Sequence, residues 1–384
     1  MPVNLLGIGT ALPSHRLSQA ESAAMAQSLS ATNDVQATLL RRLQRRSGVA
    51  FRHSVLLADA DGPLQERLPF YGDANPSTAE RMARFAAEAG PLALRASSAA
   101  LAAAAVDPAA ITHLVTVCCT GFQAPGFDLE LIQALPLAAD VARTQVGFMG
   151  CHGALNGLRV AHAFAQADAG ARVLLCALEL CSLHQQLGWH PERVVANALF
   201  ADGAAATVLA ADGTPAAGAG AGAESGAEAG AGAGPEQGQL QVSPPWRLLA
   251  SGSTVLPDSA DAMAWTIGDH GFEMGLSPRV PALIAARLAP WLDGWLAARG
   301  LDRAAIGSWA LHPGGPRLLE SVRECLDLPA SAIEPSTAVL RECGNMSSAT
   351  ILFILDRLQR AGAPLPCVAL AFGPGLCVEA ALLG

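Results

Sequence analysis

The sequence predicts an α/β protein made of two similar halves. Three observations carry that prediction. Apolar, β-branched runs of strand length, such as residues 111–119 (I-T-H-L-V-T-V-C-C) and 171–180 (A-R-V-L-L-C-A-L-E-L), alternate with Ala- and Leu-rich stretches of helical character. A turn–helix–strand unit occurs twice. Gly150-Cys151 leads into a helical stretch to about residue 167, then Gly170 and a strand from Val173. Gly344-Asn345 leads into S-S-A-T-I-L-F-I-L-D-R-L-Q, then Gly362 and a strand from Val368. The turn-to-strand distances are 173 − 151 = 22 and 368 − 345 = 23, the signature of an internal duplication. Finally, a low-complexity Gly/Ala/Glu segment at 213–238 separates the halves. Such a composition buries too little apolar surface to order itself and reads as a flexible insertion. The expected organisation is an N-terminal half (1–212), the insertion (213–238) and a C-terminal half (239–384). Alternating strands and helices imply layered helices and largely parallel, buried strands.

Taken in order, residues 3–10 are a short apolar strand ending in Gly and Pro turns. Residues 39–49 are helical, and Arg42, Arg45 and Arg46 share one face. A solvated helix face is the ordinary reading; an anion site, such as one for nucleotide phosphates, is the other. Residues 78–105 are Ala-rich and amphipathic, enough for one or two helices. A strand at 111–119 passes into a loop at 120–126, and Thr144-Gln145-Val146 ends another strand. Residues 154–166 form a helix, so Cys151 sits at a sharp strand-to-helix turn flanked by Gly150 and Gly153. The strand at 171–180 holds one carboxylate, Glu179, which at such a position is ordinarily hydrogen-bonded structure. Residues 197–210 read as a turn and a strand. His312 closes an apolar strand before the Pro/Gly turn of W-A-L-H-P-G-G-P.

Composition narrows the function. The chain has 384 residues and a formal net charge of −9, so no global basic field favours nucleic acid. All 24 basic residues are Arg, a composition bias and not a site. No apolar run is long enough to span a bilayer, and the N-terminus lacks the charged region of a signal peptide. Nine cysteines without metal spacing argue against both a disulfide framework and a zinc site. The expectation is a cytoplasmic protein with free thiols.

Cys151 is the candidate nucleophile. A cysteine at a helix start faces unpaired amides and the positive end of the macrodipole, which favours thiolate and offers donors for an oxyanion. A buried, unreactive cysteine is the plain alternative. With His312 and Asn345 it completes a Cys–His–Asn set known from nucleophilic catalysis. That set leaves two enzyme readings, a papain-like protease and a decarboxylating condensing enzyme. The protease signature C-G-S-C-W is missing, and Cys151 lies mid-chain.

The second reading gains a specific resemblance. V-G-F-M-G-C, N-A-L-F-A-D-G-A-A-A, W-A-L-H-P-G-G-P, G-N-M-S-S-A and A-F-G-P-G-L-C-V-E, in that order, resemble the chalcone/stilbene synthase family, the type III polyketide synthases. The related ketoacyl synthase III enzymes typically carry H-Q-A-N and N-T-S-A instead. The resemblance implies a thiolase fold, with duplicated α/β halves in an αβαβα layering, and a homodimer. It implies that Cys151 accepts the starter acyl group from coenzyme A. It implies that His312 and Asn345 bind the malonyl thioester, promote decarboxylation and hold the enolate, and that His312 pairs with the Cys151 thiolate. Coenzyme A thioesters are substrates; no metal or organic cofactor is expected. Arg42 and Arg46 match the basic entrance for coenzyme A.

Phe200 matches one gatekeeper, and Met274 stands where plant enzymes have the second, a Phe. Trp265 replaces a Gly that lines the cyclisation pocket. Ala124 replaces a Met that reaches into the partner's pocket. Cys119, Cys181, Ser182 and Ser347 are expected to line the cavity as well. Small bulk at Ala124 fits a tunnel for a long aliphatic starter, with pyrone or resorcinol products. The runners-up are a single-step ketoacyl synthase III-like enzyme and a non-catalytic acyl-binding homologue.

Overall fold

Thirteen strands and eleven helices are found in a computed structural model that describes residues 2–58, 62–72, 75–212 and 245–384. The expected insertion at 213–238 lies outside the described residues. In the first half the strands are β1 (Val3–Ala11), β2 (Arg16–Ser18), β3 (Phe51–His53), β4 (His113–Cys118), β5 (Ala142–Gly147), β6 (Arg172–Leu180) and β7 (Asp202–Ala211). The helices there are α1 (Gln19–Ser30), α2 (Asp34–Arg46), α3 (Leu64–Arg67), α4 (Thr78–Ala104), α5 (Phe127–Ala134), α6 (Gly153–Ala167) and α7 (Pro191–Asn197). The second half has β8 (Trp246–Val255), β9 (Met263–Gly268), β10 (Gly271–Leu276), β11 (Ser308–Leu311), β12 (Cys367–Gly373) and β13 (Cys377–Leu383). Its helices are α8 (Val280–Ala297), α9 (Pro316–Cys325), α10 (Glu334–Cys343) and α11 (Thr350–Arg360).

Nine strands form one continuous sheet in the order β11-β12-β13-β8-β1-β7-β6-β4-β5. The order β4-β6-β7-β1 is repeated as β11-β12-β13-β8, with the same pairing senses: parallel, then antiparallel twice. The two runs join where β1 meets β8, with Val3 opposite Leu248 and Leu5 opposite Trp246. The sheet is therefore mixed, not largely parallel as the strand–helix alternation implied. The reason is visible at β12 and β13, which are joined by three residues (Pro374–Leu376). A parallel pair needs a crossover of a dozen residues or more, so a short link forces an antiparallel hairpin.

Three hydrophobic clusters define the layers. Outside the first half, α4 covers β1, β6 and β7, burying Phe85, Ala89, Leu92, Ala93 and Ala96. This is one helix, N-capped by a Ser77–Glu80 capping box and running past Pro91. Between the halves, α6 and α11 fill one core with Leu155, Leu158, Ile351, Leu352, Ile354 and Leu355 against both runs of strands. Outside the second half, α8 buries Val280, Ile284, Leu288, Leu292 and Leu296. That four-residue spacing is a single helical face, and α9 packs beside it. With the two runs of the one sheet as its two strand layers, the order helix, strands, helix, strands, helix is the five-layered thiolase arrangement. Within the described residues no helix is long and apolar enough to cross a membrane.

Candidate active site

Cys151 is positioned by a backbone only certain residues tolerate. After β5, Phe148 adopts φ 59° and Gly150 φ 69°, and residues Gly150–His152 make a single 3-10 turn into α6. A Cβ on Gly150 would lie 2.4 Å from Cδ of Pro374, which follows β12 in the other half. Glycine there satisfies both the left-handed backbone and the close approach.

Asn345 is positioned in a similar way from the second half. Gly344 ends α10 at φ 76°, ψ −172°, and a Cβ there would sit 2.7 Å from Cβ of Ala201. Asn345 N–H then donates to Leu199 O, and Ala201 N–H donates to Asn345 O, each at 2.9 Å. This short parallel bridge to Phe200 ties the amide to the aromatic side chain beside it. Ser347 N–H donates to Asn345 Oδ1 at 2.9 Å, which leaves Nδ2 as the donor facing away from the turn. Ser347 Oγ donates to the Cys151 sulfur at 3.6 Å. Cys119 Sγ lies 3.2 Å from Ser347 Oγ.

His312 leaves the end of β11, with its backbone N–H donating to Leu370 O at 2.8 Å. Its side chain is 1% exposed, yet neither Nδ1 nor Nε2 has a hydrogen-bond partner. It therefore does not hydrogen-bond Cys151, contrary to the expected pair. Burial pushes the imidazole down to about 3, with His152 adding to the effect. Burial likewise pushes the Cys151 thiol up to about 12, against the hydrogen bond from Ser347. The helix start was expected to favour thiolate; desolvation of the charged form outweighs it. Both groups are neutral here.

Three connected cavities surround these residues. The largest, about 860 Å³, is lined by Cys151, His312, Asn345, Phe200 and Met274, with Arg46 and Arg317 towards solvent. A second, about 20 Å³, is lined by Cys119, Cys151, Cys181, Phe200, Trp265, Met274 and Ser347. A third, about 40 Å³, shares Cys181, Phe200, Trp265 and Met274 with the second and continues to Arg52, Ser182 and Gln185. Trp265 and Met274 face each other across the β9–β10 hairpin, and Trp265 Nε1–H donates to Cys119 O at 2.7 Å.

Most residues expected at the site thus meet there. Ser182 faces the third cavity and donates to Asp202. Arg42 is exposed on α2 and does not line the mouth; only Arg46 of that face does. Ala124 is exposed and borders none of the three cavities of its own chain. Glu179 is buried beneath the site, accepting from Cys119 N at 3.0 Å, from Thr120 Oγ1 at 2.7 Å and from Ser348 Oγ. It clamps the two halves together, the structural reading. Sequence reasoning missed Arg317, which directly follows H-P-G-G-P, and missed the strand pair that carries Trp265 and Met274. It also passed over Arg52 and Gln185, which have no motif around them.

Comparison with known proteins adds to this. Models of the chalcone and stilbene synthases match the chain twice, the N-terminal domain over residues 2–213 and the C-terminal domain over 247–384. A 1,3,6,8-tetrahydroxynaphthalene synthase from Streptomyces peucetius subsp. caesius is 34% identical, with 99% of this chain and 92% of the relative covered. The alpha-pyrone synthesis polyketide synthase-like Pks18 of Mycobacterium tuberculosis (strain ATCC 25618 / H37Rv) is 29% identical, over 98% of this chain and 89% of the relative. Among solved structures, PKS-I from the brown alga Ectocarpus siliculosus superposes with a TM-score of 0.86 at 28% identity, covering 100% of this chain and 98% of that one.

Proposed function

The chain belongs to the chalcone and stilbene synthase family, the type III polyketide synthases, which are decarboxylating condensing enzymes; from that premise we propose that Cys151, His312 and Asn345 carry out the condensation. The observation that carries this reading is the buried pair of unpartnered nitrogens on His312, lining one cavity with Asn345 and Cys151. Buried polar atoms without partners are rare and call for an explanation; a substrate carbonyl supplies one.

The steps follow from the neutral pair. His312 takes the Cys151 proton as the sulfur attacks the starter thioester, and the proton leaves with the coenzyme A thiol. In malonyl-CoA the thioester oxygen then accepts from the His312 N–H and Asn345 Nδ2–H. Breaking the bond to the carboxylate releases CO₂ and leaves the electron pair as an enolate, whose oxygen those two donors hold. The enolate carbon attacks the Cys151 thioester, a carbon–carbon bond forms, and the thiolate leaves. Placing the donors beforehand avoids reorganisation when charge appears.

Arg46, with Arg42 further out on α2, receives the phosphates of coenzyme A. Phe200 and Met274 gate the passage from mouth to inner cavity. Trp265, Cys119, Cys181 and Ser347 shape the space for the growing chain, and Ser182 the space behind. The units 1–212 and 239–384 act as paired halves, each giving one turn to the site. The protein works as a cytoplasmic homodimer, and any role for Ala124 requires the second copy.

The test is a mass-spectrometric product profile from malonyl-CoA and a panel of aliphatic and aromatic acyl-CoAs, with a Cys151→Ala control. Cys151-dependent pyrones or resorcinols are expected. Acyl transfer to Cys151 without any condensation product would overturn the reading.

A further inference from the structure

The third cavity differs in chemistry from the other two. It lies behind Phe200, Trp265 and Met274, and Cys181 is common to it and the cavity holding Cys151. No Asp or Glu lines it among the described residues, while Arg52 does. Arg52 is 4% exposed. Its Nη1 donates to Asn197 O at 2.5 Å, and its Nη2 to Gln44 Oε1 at 2.8 Å and Ala198 O at 3.2 Å. All three acceptors are neutral, and Nε has no partner. Gln185, 7% exposed on the same wall, holds a second unpartnered donor, Nε2. The other arginine there, Arg193, is matched by Glu273 at 2.6 Å.

A buried guanidinium without a counter-charge is costly, and so is each buried donor left unmade. An acyl tail of methylenes in this chamber would leave both donors unsatisfied. A carboxylate in the chamber offers those donors an anionic acceptor and neutralises the cation. We propose that the chamber is a recognition subsite for the distal carboxylate of an ω-carboxyacyl starter, held by Arg52 and Gln185. The proposal rests on Cys151 as the acyl acceptor. It narrows the starter to monothioesters of dicarboxylic acids whose length matches the path from Cys151 past Cys181 and Trp265. Keto oxygens of a growing chain offer the same acceptor chemistry without charge, so the test separates the two.

The full chain is given malonyl-CoA with three series of starter thioesters of equal chain length: ω-carboxyacyl-CoA, alkanoyl-CoA and the ω-carboxyacyl methyl ester. Cys151 acylation and products are followed by mass spectrometry. At one chain length the carboxylate is expected to exceed the alkanoyl analogue about tenfold or more in kcat/KM, with the methyl ester behaving as the alkanoyl compound. Gln185→Leu is expected to lower that ratio severalfold; Nε2 has no bond to lose, and thermal melting checks the fold. A ratio at or below one at every length overturns the subsite, as does a ratio unchanged in Gln185→Leu. A methyl ester equal to the free acid overturns the anionic assignment in favour of keto oxygens. Acylation by no thioester at all overturns the condensing reading itself, and the subsite with it.

Discussion

Replacing Asn345 by Asp tests the decarboxylation step with little change in shape. In the wild type Oδ1 is engaged by Ser347 N–H, so Nδ2 is the only donor the amide offers to the cavity. An aspartate keeps the bond from Ser347 and converts that donor into an acceptor. Losing one preorganised donor to a developing oxyanion costs about 2.7–4 kcal/mol, or roughly 10²–10³ in rate. The assay is CO₂ release from malonyl-CoA, run beside acyl loading of Cys151 measured by intact mass. Loading is expected to survive, because Ser347 Oγ, which donates to the Cys151 sulfur, is unchanged. The site also predicts a signature. Asn345 is 2% exposed, and burial pushes a carboxyl group up. Once protonated, the new carboxyl of Asn345→Asp would donate again, so CO₂ release by the variant should rise as pH falls. CO₂ release within a fewfold of wild type at neutral pH would remove Asn345 from the step, and a flat pH profile would refute the donor argument.

Gly344→Ala forces a Cβ against Ala201 on a backbone that only glycine adopts freely, costing about 1–3 kcal/mol for the conformation alone; a melting temperature and CO₂ release both unchanged would refute the clamp on Asn345. Arg46→Ala should raise KM for acyl-CoA without affecting the N-acetylcysteamine thioester, which lacks the nucleotide; equal effects on both would dissociate Arg46 from the phosphates. His312 titrates near 3 when folded against an ordinary 6.5, so it contributes stability that is present above pH 6.5 and lost as pH falls towards 3. His312→Asn should therefore flatten the decline below pH 6.5 by about 1.4 kcal/mol per pH unit, read by urea unfolding; the comparison is between the two proteins because Asp202, pushed up to about 6 by burial, acts in the opposite direction. Alkylation of Cys151 by iodoacetamide should keep rising with pH to beyond 10 with no plateau near neutrality, since burial holds the thiol up at about 12; a plateau near pH 7 would mean a thiolate at rest.

How far the sequence carried can be read from particular residues. The two helix starts were legible because a duplicated spacing survives when side chains diverge, and glycines at 150 and 344 mark backbone that nothing else fits. His312 was legible from its motif and strand end. The mixed sheet was not, because pairing sense depends on how short the β12–β13 link is, not on strand composition. The strand pair at Met263–Gly268 and Gly271–Leu276 was hidden for another reason. Its side chains are neither regularly alternating nor uniformly buried, being shared between solvent and the cavities. Arg52 and Gln185 carry no local pattern; their meaning lies in missing partners, which only three-dimensional packing defines.

The charge state of the nucleophile shows the same limit in energetic form. From the chain alone, the start of α6 argued for a thiolate, a local effect worth at most about 2 kcal/mol in partly buried geometry. Removing the sulfur from water is a tertiary effect, and here it pushes the thiol from its ordinary 9.0 up to about 12. At 1.36 kcal/mol per unit that is roughly 4 kcal/mol, enough to reverse the local preference. The same burial holds His312 neutral and leaves its nitrogens unpaired. A site that rests uncharged with donors unmade interacts more strongly with charge that appears during reaction than with its own resting groups. That is the condition for stabilising an enolate more than a thioester.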